Sequence, residues 1–171
     1  VTAALVGLRL CAALHGLDTW VRTGTPPAIG ESGVGHVKMV SAWHANVGTP
    51  HAAKIHAAYR ERYKNAKDDY FFNLSNVLEM LVKAMETAKS IDPLPVARAM
   101  EGMKFQADTG EVTMRADNHQ LIQPIYISTF ARIDGKATKL EVDRSGYGFR
   151  TDTRIESKNT VLPTTCKMER P

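Results

Sequence analysis

The stretch from residue 70 to residue 103 constrains the fold more than any other part of this chain. Apolar residues recur there at steps of three and four, which predicts that they share one face of a helix. That face consists of Leu74, Val77, Leu78, Leu81, Met85 and Ala88. The residues predicted to point away from it are Asn73, Asn76, Glu79, Lys83 and Glu86. Asp92-Pro93 then supplies an N-cap and a first-turn proline for a shorter helix that ends at Gly102. Two such helices need an apolar surface beneath them, and we expect a β-sheet.

Helices and strands are predicted along the rest of the chain as well. The predicted elements are a helix over 2–15, an extended segment over 18–22, a brief helix from 25, a strand over 36–44, a helix from 49, and strands over 111–115, 124–133 and 138–142. Asp134-Gly135 is a strong turn signal between the last two strands, and Asp108-Thr109-Gly110 indicates another turn. Helices that cover a sheet indicate an α/β fold.

Composition excludes several classes of protein. Of the 171 residues 43% are apolar, enough for one sizeable core. The net charge is +4 and the pI about 9.1, but lysine and arginine are scattered along the chain rather than clustered. We therefore expect no nucleic-acid partner. No apolar run in the sequence reaches the length that crosses a bilayer.

Motifs for catalysis, metals and phosphates are also missing from the sequence. His51 and His56 are five residues apart, which places them on different helix faces rather than in the arrangement of a zinc helix. Gly30, Gly33 and Gly35 precede a predicted strand, whereas a phosphate cradle needs a following helix. We expect no catalytic residue, no metal and no cofactor, so an enzyme is disfavoured.

Several segments resemble one family of transport receptors. "LEMLVKAMETAKSIDPLPVARAMEGMKF" and "GEVTMRADNHQLIQPIYIS" resemble periplasmic branched-chain amino acid-binding proteins of ABC importers. "GTPPAIGESGVGHVKMVSAWHANVGTP" and the tail "LPTTCKMERP" are similar to the same subgroup. The resemblance covers the chain from about residue 17 to the end. Such receptors are considerably longer, so the chain looks like the C-terminal half of one.

The resemblance implies a fold and a domain organisation. The fold is the type I periplasmic-binding fold, with two Rossmann-like α/β lobes joined by hinge crossings, and it would be incomplete here. Residues 1–47 would belong to the second lobe, residues 48–122 to the first lobe, and residues 123–171 would return to the second. Such a fragment would leave both sheets without their N-terminal strands.

A function follows from the same resemblance. The protein would capture an amino acid of the branched-chain type, or a similar small polar organic molecule, by hinge closure in the periplasm. Its partners would be this small-molecule ligand and an ABC permease in the membrane. A ligand-sensing regulator with the same fold is the main alternative, and a small α/β enzyme is the other. A Cys11–Cys166 disulfide is permitted in the periplasm, while a free buried thiol, or a partner cysteine outside this chain, stays open.

The candidate ligand-binding residues also come from the resemblance. A zwitterionic amino acid needs donors for its carboxylate, an acceptor for its ammonium and an apolar wall. The segment after the N-terminal helix would contribute Asp18 to the ammonium and Trp20 to the wall, and the central helix would contribute Phe72, Asn73 and Ser75. Asp18 could instead cap a turn, Trp20 lie in the core and Asn73 cap its helix. Aromatic acids, amides and urea remain alternative ligands.

Overall fold

The structure of the protein is a computed structural model that describes residues 26–64 and 73–165. Its α-helices in these ranges are α1 (Pro50–Arg62), α2 (Asn73–Ala88) and α3 (Pro93–Met100). Its strands are β1 (Lys38–Ser41), β2 (Lys104–Ala107), β3 (Gly110–Met114), β4 (Leu121–Ile122), β5 (Ile125–Arg132) and β6 (Tyr147–Ile155). Short 3₁₀ segments cover Pro26–Gly33 and Ser157–Asn159. None of the described helices is long and apolar enough to cross a membrane.

Two antiparallel sheets are formed by the described residues, and the first, which we call the large sheet, has the strand order β1-β5-β6. Phe130 on β5 faces Phe149 on β6 in the register, and both side chains are buried, with 0% and 1% of their surface exposed. The Phe130 ring stacks on Tyr147 at a centroid distance of 5.3 Å. Apolar residues from the preceding 3₁₀ region and β1 close this core: Val34, Val37 and Met39.

Asn46 fixes the segment that precedes β6. Its side-chain amide donates to the carbonyl oxygens of Leu140 (2.7 Å) and Phe149 (3.1 Å). Its Oδ1 accepts from the backbone amides of Lys139 (2.9 Å) and Leu140 (2.7 Å). The backbone passes so close that a Cβ at Gly148 would lie 2.4 Å from the Leu140 carbonyl oxygen. Glycine is therefore required at this position of β6.

The prediction of a returning strand over 138–142 was wrong. Asp134 Oδ1 accepts hydrogen bonds from the backbone amides of Lys136 and Thr138. Asn46 Oδ1 accepts hydrogen bonds from the next two backbone amides, those of Lys139 and Leu140. These amides are not available to a sheet, so the chain forms a loop and returns one segment later as β6. The sequence of β6 is polar, and no strand is predicted there from the sequence.

The second sheet, the small sheet, has the strand order β2-β3-β4 and carries α2 and α3. Met80 from α2 packs with Ala107 and Val112, which are 5% and 0% exposed. Partly buried apolar residues surround this cluster: Met100, Met103, Phe105, Met114 and Leu121. The helices thus lie on a sheet, as the sequence predicts.

The face that α2 turns to the small sheet is not the predicted one. Its buried residues are Asn76, Met80 and Ala84, with 2%, 2% and 0% exposed. Val77, Leu78 and Val82 are 52%, 60% and 53% exposed. The apolar arc of α2 is wider than the face that contacts the sheet. The face predicted from periodicity is therefore displaced from the observed one by about one residue step around the helix.

The remaining predictions have mixed outcomes. The structure confirms five predictions: the strand within 36–44, the helix beginning at Thr49-Pro50, both central helices, the turn at Asp108-Thr109, and the ion pair of Glu79 with Lys83. Asp92 is the N-cap of α3, although its side chain makes no capping hydrogen bond. Strands β2 and β4 were not predicted. The helix over 2–15 and the extended segment over 18–22 lie outside the described residues.

Candidate functional site

The two sheets meet at the turn between β2 and β3, which we call the junction turn (Asp108, Thr109 and Gly110). Ala107 pairs with Gly110, so Asp108 and Thr109 form a two-residue hairpin loop. Both are 1% exposed. Thr49 Oγ1, just before α1, donates to the Asp108 carbonyl oxygen at 2.6 Å, and His51 Nδ1 lies 2.6 Å from Asp108 Oδ1. The turn therefore anchors the start of α1.

The junction turn also connects α2 to the large sheet. Asn76 Nδ2 donates to Thr109 Oγ1 at 3.3 Å from the α2 side. Tyr126 Oη on β5 donates to the Thr109 carbonyl oxygen at 2.8 Å, and burial raises the pKa of this phenol. Thr109 thus accepts one hydrogen bond from α2 and one from β5 of the large sheet. These bonds hold the first turn of α2 where the two sheets meet.

Gly110 allows the backbone to approach the large sheet closely. Its φ is +121°, and a Cβ there would lie 2.6 Å from Arg154 Nη2 and 3.2 Å from Pro124 Cγ. An L side chain at this position would meet both a strained backbone and occupied space. The positive φ therefore favours glycine at the end of the turn, and the flexible end of Arg154 is the nearest group that a side chain there would displace.

His44 lies behind Tyr126 as a neutral, buried imidazole. It is 4% exposed, and its ring meets the Tyr126 ring edge-on at a centroid distance of 5.8 Å. The backbone N–H of Asn46 donates to Nδ1 at 3.2 Å, so Nε2 carries the proton and donates to Thr151 Oγ1 at 2.8 Å. Burial lowers the pKa of His44 from its usual 6.5 to about 4. His44 therefore serves structure rather than acid–base chemistry near neutral pH.

The predicted ligand-binding residues lie partly outside the described chain. Asn73 and Ser75 are in the first turn of α2, immediately before the Asn76 contact with the junction turn, but their side chains are not described. Asp18, Trp20 and Phe72 lie outside the described residues, so all five remain predictions.

Sequence reasoning missed the polar residues that organise this junction. They are Asn76, Tyr126 and His44, whereas Asp108 and Thr109 were predicted as a turn but without their contacts to the rest of the chain. The spacing of Asn76 with Met80 and Ala84 at four-residue steps was a usable signal, since it repeats one helix face. The Tyr126 contact joins residues far apart in sequence and left no such signal.

An open cavity of about 360 Å³ lies between the start of α1 and the loop before β6. Asn46, Thr49, Lys136 and Lys139 are among its lining residues. Within 26–64 and 73–165, no group of three histidine, cysteine, aspartate or glutamate residues could hold a metal ion.

Comparison with known proteins identifies the family. The family model described as periplasmic binding protein matches residues 10–137. Comparison with curated proteins gives no match. Among solved structures, the leucine-, isoleucine-, valine-, threonine- and alanine-binding protein of Brucella ovis, in a closed conformation, superposes with a TM-score of 0.70 at 20% identity. The alignment covers 83% of this chain and 37% of that one.

Two solute-binding proteins of ABC transporters from Rhodopseudomonas palustris are similar too. One, in complex with 3,4-dihydroxybenzoic acid, gives a TM-score of 0.61 at 16% identity and covers 75% of this chain and 32% of its own. The other, in complex with p-hydroxybenzoic acid, gives 0.60 at 19% identity, with 82% and 40% covered. The chain thus spans between 32% and 40% of the length of these three structures. It belongs to the periplasmic binding protein family, whose members bind solutes and are not enzymes, and it has the type I periplasmic-binding fold, here incomplete.

Proposed function

We propose that this chain is part of the solute-binding component of an ABC importer. The solute is an amino acid of the branched-chain type or another small polar organic acid. The observation that carries this proposal is the family match over residues 10–137. The named ligands of the similar structures, apolar and small amino acids in one and hydroxybenzoic acids in two, support the solute class because each carries a carboxylate.

Two lobes would hold the solute between them. Residues 1–47 and 123–171 form one lobe, and residues 48–122 form the other. The strand order supports this division, because among the described residues the large sheet takes its strands from 38–41 and 125–155, whereas the small sheet takes its strands from 104–122. Each sheet would therefore be the centre of one lobe, and the junction turn would lie at the hinge between them.

Ligand contacts would come from both lobes. Phe72, Asn73 and Ser75 precede or begin α2, and the Asn76–Thr109 hydrogen bond holds that end of the helix at the junction of the sheets. Asp18 would accept from the ligand ammonium, and Trp20 would pack on its apolar part. Closure of the lobes would exclude water and strengthen these polar contacts.

The closed receptor would then be recognised by an ABC permease, which transfers the solute across the membrane. Family membership supports a location outside the cytoplasm, and we propose the periplasm. The permease would distinguish the closed from the open receptor by the relative position of the two lobes, so ligand capture and delivery would use the same motion.

Titration calorimetry tests the proposal. The protein, at the full length that its gene encodes, is titrated with leucine, valine, alanine, 3,4-dihydroxybenzoate, p-hydroxybenzoate, simple amides and urea. We expect one amino acid or aromatic acid to bind. The Trp20→Ala variant should bind that ligand with an affinity about thirtyfold lower, because buried aromatic contacts dominate small-ligand affinity. Tyr63→Ala is the matched control, since it removes an aromatic side chain that is half exposed at the end of α1.

The outcomes separate the function from the site. A folded protein that binds only an amide or urea, or no member of the panel, would contradict the proposed solute class. Unchanged affinity in Trp20→Ala would contradict the site alone. A parallel comparison of Ser75→Ala with Ser90→Ala, two residues beyond the end of α2, tests whether the first turn of that helix contacts the ligand.

A further inference from the structure

The chain crosses between the sheets a third time after β6. Two covalent connections lie within the described residues, one from β1 to α1 over 42–49 and one from β4 to β5 over 123–124. Beyond Ile155 the backbone leaves the large sheet and runs beside the small one. We call residues 156–162 the C-terminal strap.

Three hydrogen bonds attach the strap. Ser157 Oγ donates to the Glu111 carbonyl oxygen on β3 at 2.6 Å. Thr160 Oγ1 lies 3.1 Å from the Gln123 carbonyl oxygen, within the connection between the sheets, and 2.8 Å from the Ser157 carbonyl oxygen of the strap itself, so these two acceptors share its one proton. Arg115, just after β3, donates through Nη1 to the Leu162 carbonyl oxygen at 2.7 Å. Two of these bonds therefore join the strap to the small sheet and one joins it to the crossing.

The Arg115 donor is held in place before it meets the strap. Its Nε donates to Asp117 Oδ1 at 2.8 Å, and its Nη2 forms a second, short bond with Asp117 Oδ2. This two-point pairing fixes the plane of the guanidinium, and 16% of the Arg115 side chain is exposed. The remaining Nη1 therefore points at a defined place, where the Leu162 carbonyl oxygen lies.

The strap also has its own local structure. A single 3₁₀ turn covers Ser157–Asn159, closed by bonds from the Asn159 amide to the Glu156 carbonyl and from the Thr160 amide to the Ser157 carbonyl. This turn sets the spacing between Ser157 and Thr160, so their hydroxyls reach Glu111 and Gln123 together. The Ser157 and Thr160 contacts use side-chain hydroxyls and backbone carbonyl oxygens. Substitutions that delete only a hydroxyl can therefore remove these contacts while the shape of the strap is kept.

We propose that the C-terminal strap is a releasable restraint on opening of the two lobes. When the small sheet rotates away from the large sheet, the bonds of Ser157 to Glu111 and of Arg115 to Leu162 must break, whereas the covalent crossings only bend. The strap thus favours the arrangement in this structure and sets part of the free-energy difference between closed and open forms. This inference rests on the proposed two-lobe function.

Hydrogen exchange at the Asn159 and Thr160 amides, which bond within the strap's own 3₁₀ turn, measures how often this turn opens once its attachment to the small sheet is weakened. In Ser157→Ala/Thr160→Val, exchange at the Asn159 and Thr160 amides should rise about thirtyfold, because each such hydrogen bond shifts an equilibrium by about fivefold. The control, Thr87→Val/Ser145→Ala, removes two hydroxyl-to-carbonyl bonds that each lie within one body, from Thr87 to Lys83 and from Ser145 to Val142. Exchange in the strap should not change in the control.

Pulsed electron paramagnetic resonance then measures the lobes themselves. Spin labels are placed at Val40→Cys on β1 and Lys104→Cys on β2, both exposed, in a chain with Cys11→Ser and Cys166→Ser. The distance distribution should broaden toward longer distances in Ser157→Ala/Thr160→Val, and more so when the chain ends after Ile155. The control should match the parent.

Identical distributions in the parent, the double variant and the shortened chain would overturn the proposal, as would strap exchange that the double variant leaves unchanged. Neither experiment contains a ligand. A protein that binds none of the solutes tested could still show the restraint, so failure of the proposed function and failure of the restraint are distinguishable.

Discussion

The large sheet and the small sheet differ in how completely this chain buries their apolar residues. On the large sheet Tyr126, Phe130 and Phe149 are between 0% and 2% exposed. Over the small sheet, α2 buries Met80 but leaves Leu78 60% exposed. The core of the large sheet is mainly aromatic, whereas the core of the small sheet consists mainly of methionine and aliphatic residues. The helix α2 also presents apolar residues on more than one face, and the small sheet covers one of these faces.

The difference shows what an apolar pattern reports. The apolar arc of α2 is wide enough for two contacts, and the small sheet occupies one of them. The chain spans only 37% of the length of the Brucella ovis receptor with which it superposes. Periodicity therefore indicates which residues favour burial somewhere, whereas the packing of this chain decides which of them are buried here.

The largest expected effect is in the large sheet. Phe130→Ala should lower the free energy of unfolding by about 4 kcal/mol, since it removes a fully buried ring that contacts Tyr147 and Phe149 and leaves a cavity. Phe105→Ala, in the partly exposed cluster of the small sheet, should cost about half as much, roughly 2 kcal/mol. Urea unfolding followed by circular dichroism measures both. Equal costs would show that the two cores are equally complete.

A pH effect of slightly smaller size should come from His44. Burial holds its pKa near 4 in the folded chain, against 6.5 in the unfolded chain. Between these values the unfolded chain binds more protons, so the free energy of unfolding falls as pH falls from 6.5 to 4. The loss should total about 3 kcal/mol and should stop growing below pH 4. Unfolding curves at half-unit pH steps measure it.

The matched variants for this effect are His44→Gln and His36→Gln. His44→Gln keeps a donor and an acceptor but cannot titrate, so the slope between pH 6.5 and 4 should flatten, whereas His36, which is exposed, should leave the slope as it is. Asp152 does not interfere, because hydrogen bonds from Lys38 and Thr129 lower its pKa to about 2, and its contribution is lost only below about pH 4. An unchanged slope in His44→Gln would assign the effect to another group.

Much of this fold was predictable because local rules agree with the final structure. Thr49-Pro50 begins α1, Asp92-Pro93 begins α3, and Asp108-Thr109 forms a two-residue turn. The loop over 138–142 was not predictable, because its backbone amides donate hydrogen bonds to Asn46, which is more than 90 residues away in sequence. The pairing of β6 was equally hidden, since Arg150 and Asp152 give this strand the composition of a tail.

The candidate site shows the same limit more strongly. The start of α2 was predicted as a ligand-facing element through the family resemblance, and its position at the junction of the sheets comes from the Asn76–Thr109 bond. Asn76 was predicted to point away from the core, because a polar residue on an amphipathic helix is usually solvated. Asn76 is instead buried, because its side-chain amide donates a hydrogen bond to Thr109 in the junction turn. This is a tertiary contact, which the sequence pattern of the helix does not show.

The smallest effect should come from the exposed face of α2. Leu78→Gln should change the free energy of unfolding by less than about 0.5 kcal/mol, because the side chain is 60% exposed and glutamine retains helix propensity. Met80→Gln, two residues along the same helix, should cost several times more, about 3 kcal/mol, since it places an amide in the Ala107–Val112 cluster. Urea unfolding of both variants decides which face α2 buries. A loss above about 2 kcal/mol in Leu78→Gln would mean that the face predicted from periodicity is the buried one after all, and the contrast between the two sheets would disappear.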